Sequence, residues 1–164
     1  MLKTVDLSGK FDRAAPCVML LGGFDGVHAG HRRLAERAKR YSLPVGIMTI
    51  GGGKGEKSLF TFSEREDIFK GLGLDFAFEL PFSEIRELPP EAFIDLLKRS
   101  FQPEAFVCGS DFRFGFRASG TPALIAASGV RVETEELLCI EGEKVSSSSI
   151  KRLLSEGDTA AAAK

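Results

Sequence analysis

Strand-like and helix-like segments alternate along this chain, and the alternation constrains the fold more than any other feature of the sequence. Short runs rich in apolar and β-branched residues, bounded by turn residues, are typical of buried strands. A segment of helix-forming residues follows each run. Because parallel strands require crossover connections, this order predicts an α/β fold, a Rossmann-like doubly wound parallel sheet of about five strands. The predicted strands are Cys17–Gly22, Pro44–Ile50, Leu74–Leu80, Glu104–Gly109 and Val130–Glu135.

Local capping signals mark where the helices begin. Ser63 and Glu66 have the spacing of a capping box, and Thr121 precedes a proline suited to a first helical turn. The sequence contains no internal repeat or linker, so we expect one domain over residues 1–164, with residues 159–164 as a frayed tail. The predicted helices are His31–Tyr41, Ser63–Gly71, Pro90–Ser100, Thr121–Ser128 and Ser146–Glu156.

Charge, hydropathy and cysteine content exclude several classes of protein. The 22 basic and 23 acidic residues give a net charge of −1, too balanced to attract nucleic acid by counterion release. The longest apolar stretch, Cys17–Leu21, is too short for a bilayer, and the first residues contain no apolar run of signal-peptide length. Cys17, Cys108 and Cys139 lack the spacing of a disulfide framework or a zinc motif. We therefore expect a cytoplasmic protein with three buried thiols and no nucleic-acid or membrane partner.

The loop after the first predicted strand, Gly22–His31, is rich in glycine and contains both histidines of the protein. Ligands of open α/β sheets bind at the carboxyl ends of the strands, where this loop lies. His28 and His31 share one face of a helical first turn, and Gly30 leaves that face uncrowded. Two imidazoles at a helix N-terminus suit the charge on a transferring phosphoryl group. The alternative is a pair of exposed or packing histidines after an ordinary turn. A metal site is not expected, because two histidines without a third ligand bind zinc poorly.

Two later loops lie at the same edge of the predicted sheet. In Gly109–Arg117, phenylalanines alternate with charged residues, so an extended loop would place rings on one side and charges on the other. Such rings could stack on a flat heterocycle, although the phenylalanines taken alone fit ordinary core packing better. Val145–Arg152 has four consecutive serines and two cations at the start of a helix, which suits phosphate binding. One serine alone would be enough to cap that helix.

All three loops match motifs of one protein family. The segment GGFDGVHAGH closely resembles the G-x-F-D-G-V-H-x-G-H signature of bacterial FAD synthetases, the flavin adenylyltransferase module of bifunctional riboflavin kinase/FAD synthetases. The H-x-G-H part alone is shared by a wider nucleotidyltransferase superfamily, and the preceding F-D-G-V narrows the resemblance. Gly109–Arg117 resembles the family's G-x-D/N-F-x-F-G loop. Val145–Arg152 resembles its I-S-S-T-x-I-R motif, with Lys151 at the arginine position. The resemblance extends over about Val18–Asp158.

The resemblance implies transfer of AMP from ATP to FMN, which gives FAD and pyrophosphate, with Mg²⁺ accompanying ATP. It also implies functional residues. Those with an implied catalytic role are His28, His31, Ser147 and Ser148. Those with an implied role in binding nucleotide or flavin are Gly22, Gly23, Phe24, Asp25, Gly30, Gly109, Asp111, Phe112, Arg113, Phe114, Lys151 and Arg152.

The segment after the second predicted strand departs from the family pattern. Most members carry T-F-x-P-H-P there, whereas this chain has Thr49–Gly53 without the prolines or the histidine. The Gly51–Lys57 loop, with Lys54 and Lys57 as its cations, is expected to replace that motif. The loop is not a P-loop, because Glu56 stands where a Walker motif requires glycine. Two alternative functions remain: a nucleotidyltransferase with another phosphate acceptor, or a non-catalytic flavin- or nucleotide-binding relative. No riboflavin kinase domain is expected within these residues.

Overall fold

The computed structural model describes residues 3–51, 59–136, 138–140 and 143–163, which form a six-stranded sheet with a separate two-stranded hairpin. The strands are β1 (Lys3–Asp6), β2 (Pro16–Leu21), β3 (Val45–Gly51), β4 (Phe76–Pro81), β5 (Gln102–Gly109) and β6 (Arg131–Glu135), and the hairpin is β7 (Cys139–Ile140) and β8 (Glu143–Lys144). The sheet order is β1-β4-β3-β2-β5-β6, and all neighbours are parallel except β1, which pairs antiparallel with β4. All five predicted strands are confirmed.

Helices cover both faces of the sheet, as a doubly wound fold requires. The helices are α1 (Ala29–Lys39), α2 (Phe62–Gly71), α3 (Phe82–Ile85), α4 (Pro90–Ser100), α5 (Pro122–Ala127), α6 (Ser147–Ser155) and α7 (Thr159–Ala162). One apolar cluster packs α4 and α5 against the sheet, and a second packs α1 and α2 against the opposite face. No helix in the described ranges is both long and apolar enough to cross a membrane.

Two local details differ from the sequence-based expectations, the start of α2 and the C-terminal residues. The capping box of α2 joins Thr61 and Glu64 rather than Ser63 and Glu66, because the N-cap lies two residues earlier, and Phe62 then packs against the apolar layer. The N–H of Thr61 lowers the pKa of the Glu64 carboxyl. Where a frayed tail is expected, residues 159–162 form α7, whose first turn is capped by the Asp158 side chain.

Two of the three thiols are buried and one is not. Cys17 and Cys108 lie in the core, where burial raises the pKa of Cys17 to about 11 and that of Cys108 to about 12. Both are therefore protonated at neutral pH. Cys139 is exposed. The prediction of a buried thiol there was wrong, since Cys139 lies on the short hairpin outside the main sheet.

Candidate active site

The strand order places a topological switch point between β2 and β5. From β2 the chain moves to β3 and β4 on one side, and it later forms β5 and β6 on the other. Crevices for ligands form at such points, outside the carboxyl ends of the strands. A cavity of about 280 Å³ lies there, lined by the glycine-rich turn, the N-terminus of α1, the end of β6 and the start of α6. Sequence-predicted residues from all three loops therefore meet in one place.

The two histidines stack on each other at the N-terminus of α1. His28 is the N-cap residue and His31 lies in the first turn, with ring centroids 3.7 Å apart. Phe24 packs against the His31 ring at a centroid distance of 4.6 Å. A Cβ on Gly30 would lie 3.1 Å from Nδ1 of His28, closer than nearly all real contacts, so glycine permits this stacking. Both side chains are partly buried, so the alternative of two exposed histidines is excluded, while a packing pair remains the alternative to a catalytic one.

His31 is neutral at physiological pH. Burial, together with the neighbouring His28, lowers the pKa of His31 to about 3. Its Nδ1 is buried and has no hydrogen-bond partner among the described residues. A neutral imidazole donates a hydrogen bond from one nitrogen and accepts one at the other. His31 can therefore polarise a phosphoryl oxygen as a neutral hydrogen-bond donor.

The turn that leads to the histidines is held in a strained backbone conformation. Phe24 and Val27 have φ angles of 46° and 39°, values that residues other than glycine rarely adopt. Such residues cost on the order of 1–3 kcal/mol each and persist where the surrounding structure enforces them. Both side chains are buried, which enforces them here. The strain curls the turn so that Gly22 and Gly23 face the cavity.

The N-terminus of α6 approaches the turn from the other side. Ser146 and Ser149 form a reciprocal capping box, so two of the four serines are used for capping. The N–H of Gly26 donates to Oγ of Ser147 at 3.2 Å, and Ser147 lines the cavity. Because that oxygen acts as the acceptor, the hydroxyl proton of Ser147 is left to donate to an anion.

Asp25 connects the turn to two other segments without lining the cavity itself. Its Oδ1 accepts a hydrogen bond from the N–H of Leu59 at 3.0 Å. Its Oδ2 lies 2.8 Å from Nζ of Lys151, in an ion pair that is about three-quarters buried or more on both sides. Lys151 therefore holds α6 against the turn. A direct contact of Lys151 with phosphate, as the resemblance implies, stays a prediction.

A second cavity of about 580 Å³ shares one lining residue with the first. That residue is Phe112, so both cavities lie next to the same side chain. The second space is mainly apolar and aromatic, and most of its residues look like ordinary core in the sequence. Its apolar lining includes Met48, Ile50, Phe82, Phe93, Phe112 and Phe114.

The matches to known proteins agree with this geometry. The family model for FAD synthetase matches residues 10–149. The chain belongs to the FAD synthetase family. The "Putative bifunctional riboflavin kinase/FMN adenylyltransferase" of Geobacillus thermodenitrificans is 31% identical over 152 residues, which cover 86% of this chain and 84% of that protein. FAD synthetase 1, chloroplastic, of Arabidopsis thaliana is 29% identical over 86% of this chain and 49% of that protein. The bifunctional riboflavin kinase/FMN adenylyltransferase of Escherichia coli K12 is 27% identical over 89% of this chain and 52% of that protein. This chain therefore spans about half the length of that relative.

Solved structures confirm the fold. A protein from Streptococcus pneumoniae, described as a macrolide-efflux protein, superposes with a TM-score of 0.83 at 22% identity, covering 96% of this chain and 58% of that one. Pantothenate synthetase from Thermus thermophilus superposes with a TM-score of 0.60 at 18% identity, covering 95% of this chain and 68% of that one. At these identities the similarity establishes the α/β architecture alone.

Some residues that the FAD synthetase resemblance implies lie away from the first cavity. Arg113 lines the second cavity and donates to the carbonyl of Phe112 at 2.9 Å. Ser148 is exposed. Arg152 forms an exposed ion pair with Glu156 at 3.1 Å, one helical turn further on. The Lys54 and Lys57 cations of the replacement loop lie outside the described residues.

The Asp25–Lys151 pair predicts the effect of restoring the family's arginine. A guanidinium in place of the ammonium keeps the positive charge beside Asp25, so we expect Lys151→Arg to retain kcat/KM for ATP within about twofold or to improve it. Steady-state kinetics check this, with Lys70→Ala as a control that removes an exposed ion pair, to Asp67, elsewhere. A loss of about tenfold would show that the shape of lysine is required and not only its charge. That result would contradict the role assigned to Lys151, which is to hold α6 through its ion pair with Asp25.

The depressed pKa of His31 predicts sensitivity to acid. The unfolded chain binds a proton on His31 near 6.5 and the folded chain only near 3, so the free energy of unfolding falls as pH drops through this window. Between pH 7 and pH 4 we expect the wild type to lose about 2 kcal/mol more than His31→Gln, allowing for partial exposure of the ring. Urea unfolding at each pH measures the difference. Equal losses in both proteins would show that His31 titrates normally.

Proposed function

We propose that this chain is an FMN adenylyltransferase that transfers AMP from ATP to FMN and releases pyrophosphate. The observation that carries the proposal is the pair of adjoining cavities that share Phe112, one with the histidine pair and one with aromatic walls. A transferase with two substrates needs two such spaces in contact. Membership of the FAD synthetase family supports the assignment of the substrates.

The first cavity suits the triphosphate of ATP. The N-termini of α1 and α6 both converge on it, and helix N-termini present N–H groups to anions. His28 and His31 would donate to the α-phosphoryl group as charge develops on its oxygens, and the Ser147 hydroxyl would donate beside them. The cavity walls Gly22 and Gly23 place no side chain between the backbone and the nucleotide.

The second cavity suits the flavin ring. An isoalloxazine is flat and largely apolar, and the phenylalanine rings offer stacking and edge contacts. Phe112, at the junction, would lie near the point where the FMN phosphate meets the nucleotide. Arg113 and Arg117 also line this cavity and would place positive charge beside the flavin phosphate.

The reaction needs alignment more than acid–base chemistry. An oxygen of the FMN phosphate, already ionised at neutral pH, attacks the α-phosphorus of ATP. The bond from that phosphorus to the bridging oxygen breaks, and pyrophosphate leaves with the bond's electron pair. Since no proton must be removed from the nucleophile, this chemistry requires no general base, and the histidines can act as hydrogen-bond donors alone.

ATP would arrive as its magnesium complex. The described residues contain no group of three His, Cys, Asp or Glu side chains that could hold a metal ion. Mg²⁺ usually keeps several waters and binds through substrate phosphates, so the residues present fit a metal held by ATP. Bound in this way, the ion neutralises charge on the leaving pyrophosphate.

The decisive experiment incubates the purified protein with FMN, ATP and Mg²⁺ and separates the products by chromatography. Equal amounts of FAD and pyrophosphate are expected. Pyrophosphate formed only with another phosphate acceptor would identify a different nucleotidyltransferase. Binding of ATP and FMN with no product from any acceptor would identify a non-catalytic relative. Either of the last two results overturns the proposal.

A further inference from the structure

The first cavity is lined by acidic side chains as well as by the two histidines. Glu135, the last residue of β6, lines the cavity together with Glu136 and Asp111. Three apolar side chains, from β2, α1 and the segment before β7, line the cavity as well: Leu21, Leu34 and Leu138. Carboxylates repel a triphosphate but accept hydrogen bonds from neutral donors. The acidic part of the lining therefore suits a nucleoside rather than phosphates.

Glu135 differs from the neighbouring Glu136 because its carboxylate is fixed in place. One guanidinium nitrogen of Arg37, on α1, lies 2.7 Å and 3.0 Å from the two carboxylate oxygens of Glu135. Arg37 is itself held by Glu133 at 3.3 Å, and Glu133 accepts a hydrogen bond from the Tyr41 hydroxyl. By contrast, Glu136 is exposed and contacts Ser110 only at 3.4 Å.

A fixed carboxylate is an effective recognition group. Its position is determined before the ligand arrives, so binding does not require further ordering of the side chain. One hydrogen bond from Arg37 to each oxygen leaves lone pairs on both oxygens for additional donors. Glu133 lies two residues earlier on the same strand, shares the same arginine and does not line the cavity. Of these two glutamates that contact Arg37, only Glu135 therefore lines the cavity, where it can contact a ligand.

We propose that Glu135 is a specificity-determining residue that accepts a hydrogen bond from the nucleoside of ATP. The donor is a ribose hydroxyl or the exocyclic amino group of adenine, which offer the same chemistry. A carboxylate at the end of a strand in a doubly wound sheet commonly accepts from a ribose hydroxyl. This inference rests on the proposed function only in placing ATP in the first cavity. It does not depend on the identity of the acceptor.

The test is direct nucleotide binding without FMN, measured by isothermal titration calorimetry in the presence of Mg²⁺. The probes are ATP, 2′-deoxy-ATP, 3′-deoxy-ATP and purine riboside triphosphate, which lacks the amino group. For wild type we expect one analogue to bind about fivefold more weakly than ATP, as the loss of one hydrogen bond predicts. The analogue that weakens identifies the donor as ribose or base.

Glu135→Ala is expected to bind ATP and that analogue equally. Glu133→Ala is the matched control, because it also removes a partner of Arg37 but is expected to keep the wild-type preference. If Glu135→Ala fails to fold in a thermal unfolding assay, Glu135→Gln keeps an oxygen beside Arg37 and is expected to reduce the preference. A wild type without preference, or a Glu135 variant that retains it, overturns the inference. If the preference for ATP over the analogue depends on Glu135 but the protein makes no FAD, the inference is upheld and the proposed function is wrong.

Discussion

Replacing His31 with alanine is expected to lower kcat for FAD formation by about 10²-fold or more, the range found for preorganised donors that act on developing charge. His31 is neutral, half-buried and stacked on His28, so its geometry is set before substrate binds. We expect KM for ATP to change much less than kcat, because the hydrogen bond strengthens mainly in the transition state. Steady-state kinetics at saturating FMN measure both quantities.

The control for this prediction lies on the same helix. Arg33 is exposed on α1 and lines neither of the two adjoining cavities. Arg33→Ala is therefore expected to leave kcat within about twofold of wild type, as most surface substitutions do not affect distant sites. Circular dichroism and thermal unfolding verify that both variants are folded. If His31→Ala retained wild-type kcat, the assigned role of the histidine pair would be wrong.

The fold could be predicted from the sequence because its signals are local. The strands β2 to β5 are short apolar runs, each ended by a turn residue, and the helices α2, α4 and α5 begin with a cap or a proline. The rule that ligands bind at the carboxyl ends of strands then placed all three loops at one edge. The edge strand β1 was missed, because it has only four residues and pairs antiparallel with β4 rather than following the alternating pattern.

The roles of individual side chains could not be predicted, because they depend on contacts between distant residues. Ser147 meets the N–H of Gly26 across 121 positions of sequence, and Arg37 meets Glu135 across 98. Lys151 looked like a phosphate ligand from its motif, yet in the fold it forms an ion pair with Asp25. A charged residue in a sequence gives no sign of which opposite charge will lie beside it.

The second cavity was also only partly visible in the sequence. Phe112 and Phe114 belong to a loop whose alternation with charged residues drew attention to them. Met48, Phe82 and Phe93 come from three separate elements, and each has the apolar character of an ordinary core residue. Only the assembled sheet and helices show that these side chains, which pack in one apolar cluster, also border an open space.

Gly30→Ala is expected to separate catalysis from stability. An added Cβ would lie 3.1 Å from Nδ1 and 3.2 Å from Cε1 of His28, so the ring must shift by a few tenths of an ångström. A misplacement of about 1 Å can lower the rate by about 10²-fold, so for a shift of up to half that distance we expect kcat/KM to fall by up to about tenfold. In contrast, alanine stabilises a helix by about 0.5–1 kcal/mol relative to glycine, so the free energy of unfolding should not decrease.

Gly71→Ala is the matched control, since Gly71 ends α2 and an added Cβ there meets no atom within 4 Å. We expect the control to keep full activity, which kinetics and urea unfolding together establish. A double-mutant cycle then assigns the cause. In the His28→Ala background the imidazole that the added methyl group would displace is gone, so Gly30→Ala should have no further effect on kcat/KM. An undiminished tenfold loss in that background would mean that the methyl group acts on the substrate or the backbone, and that the position of the His28 ring does not limit the reaction.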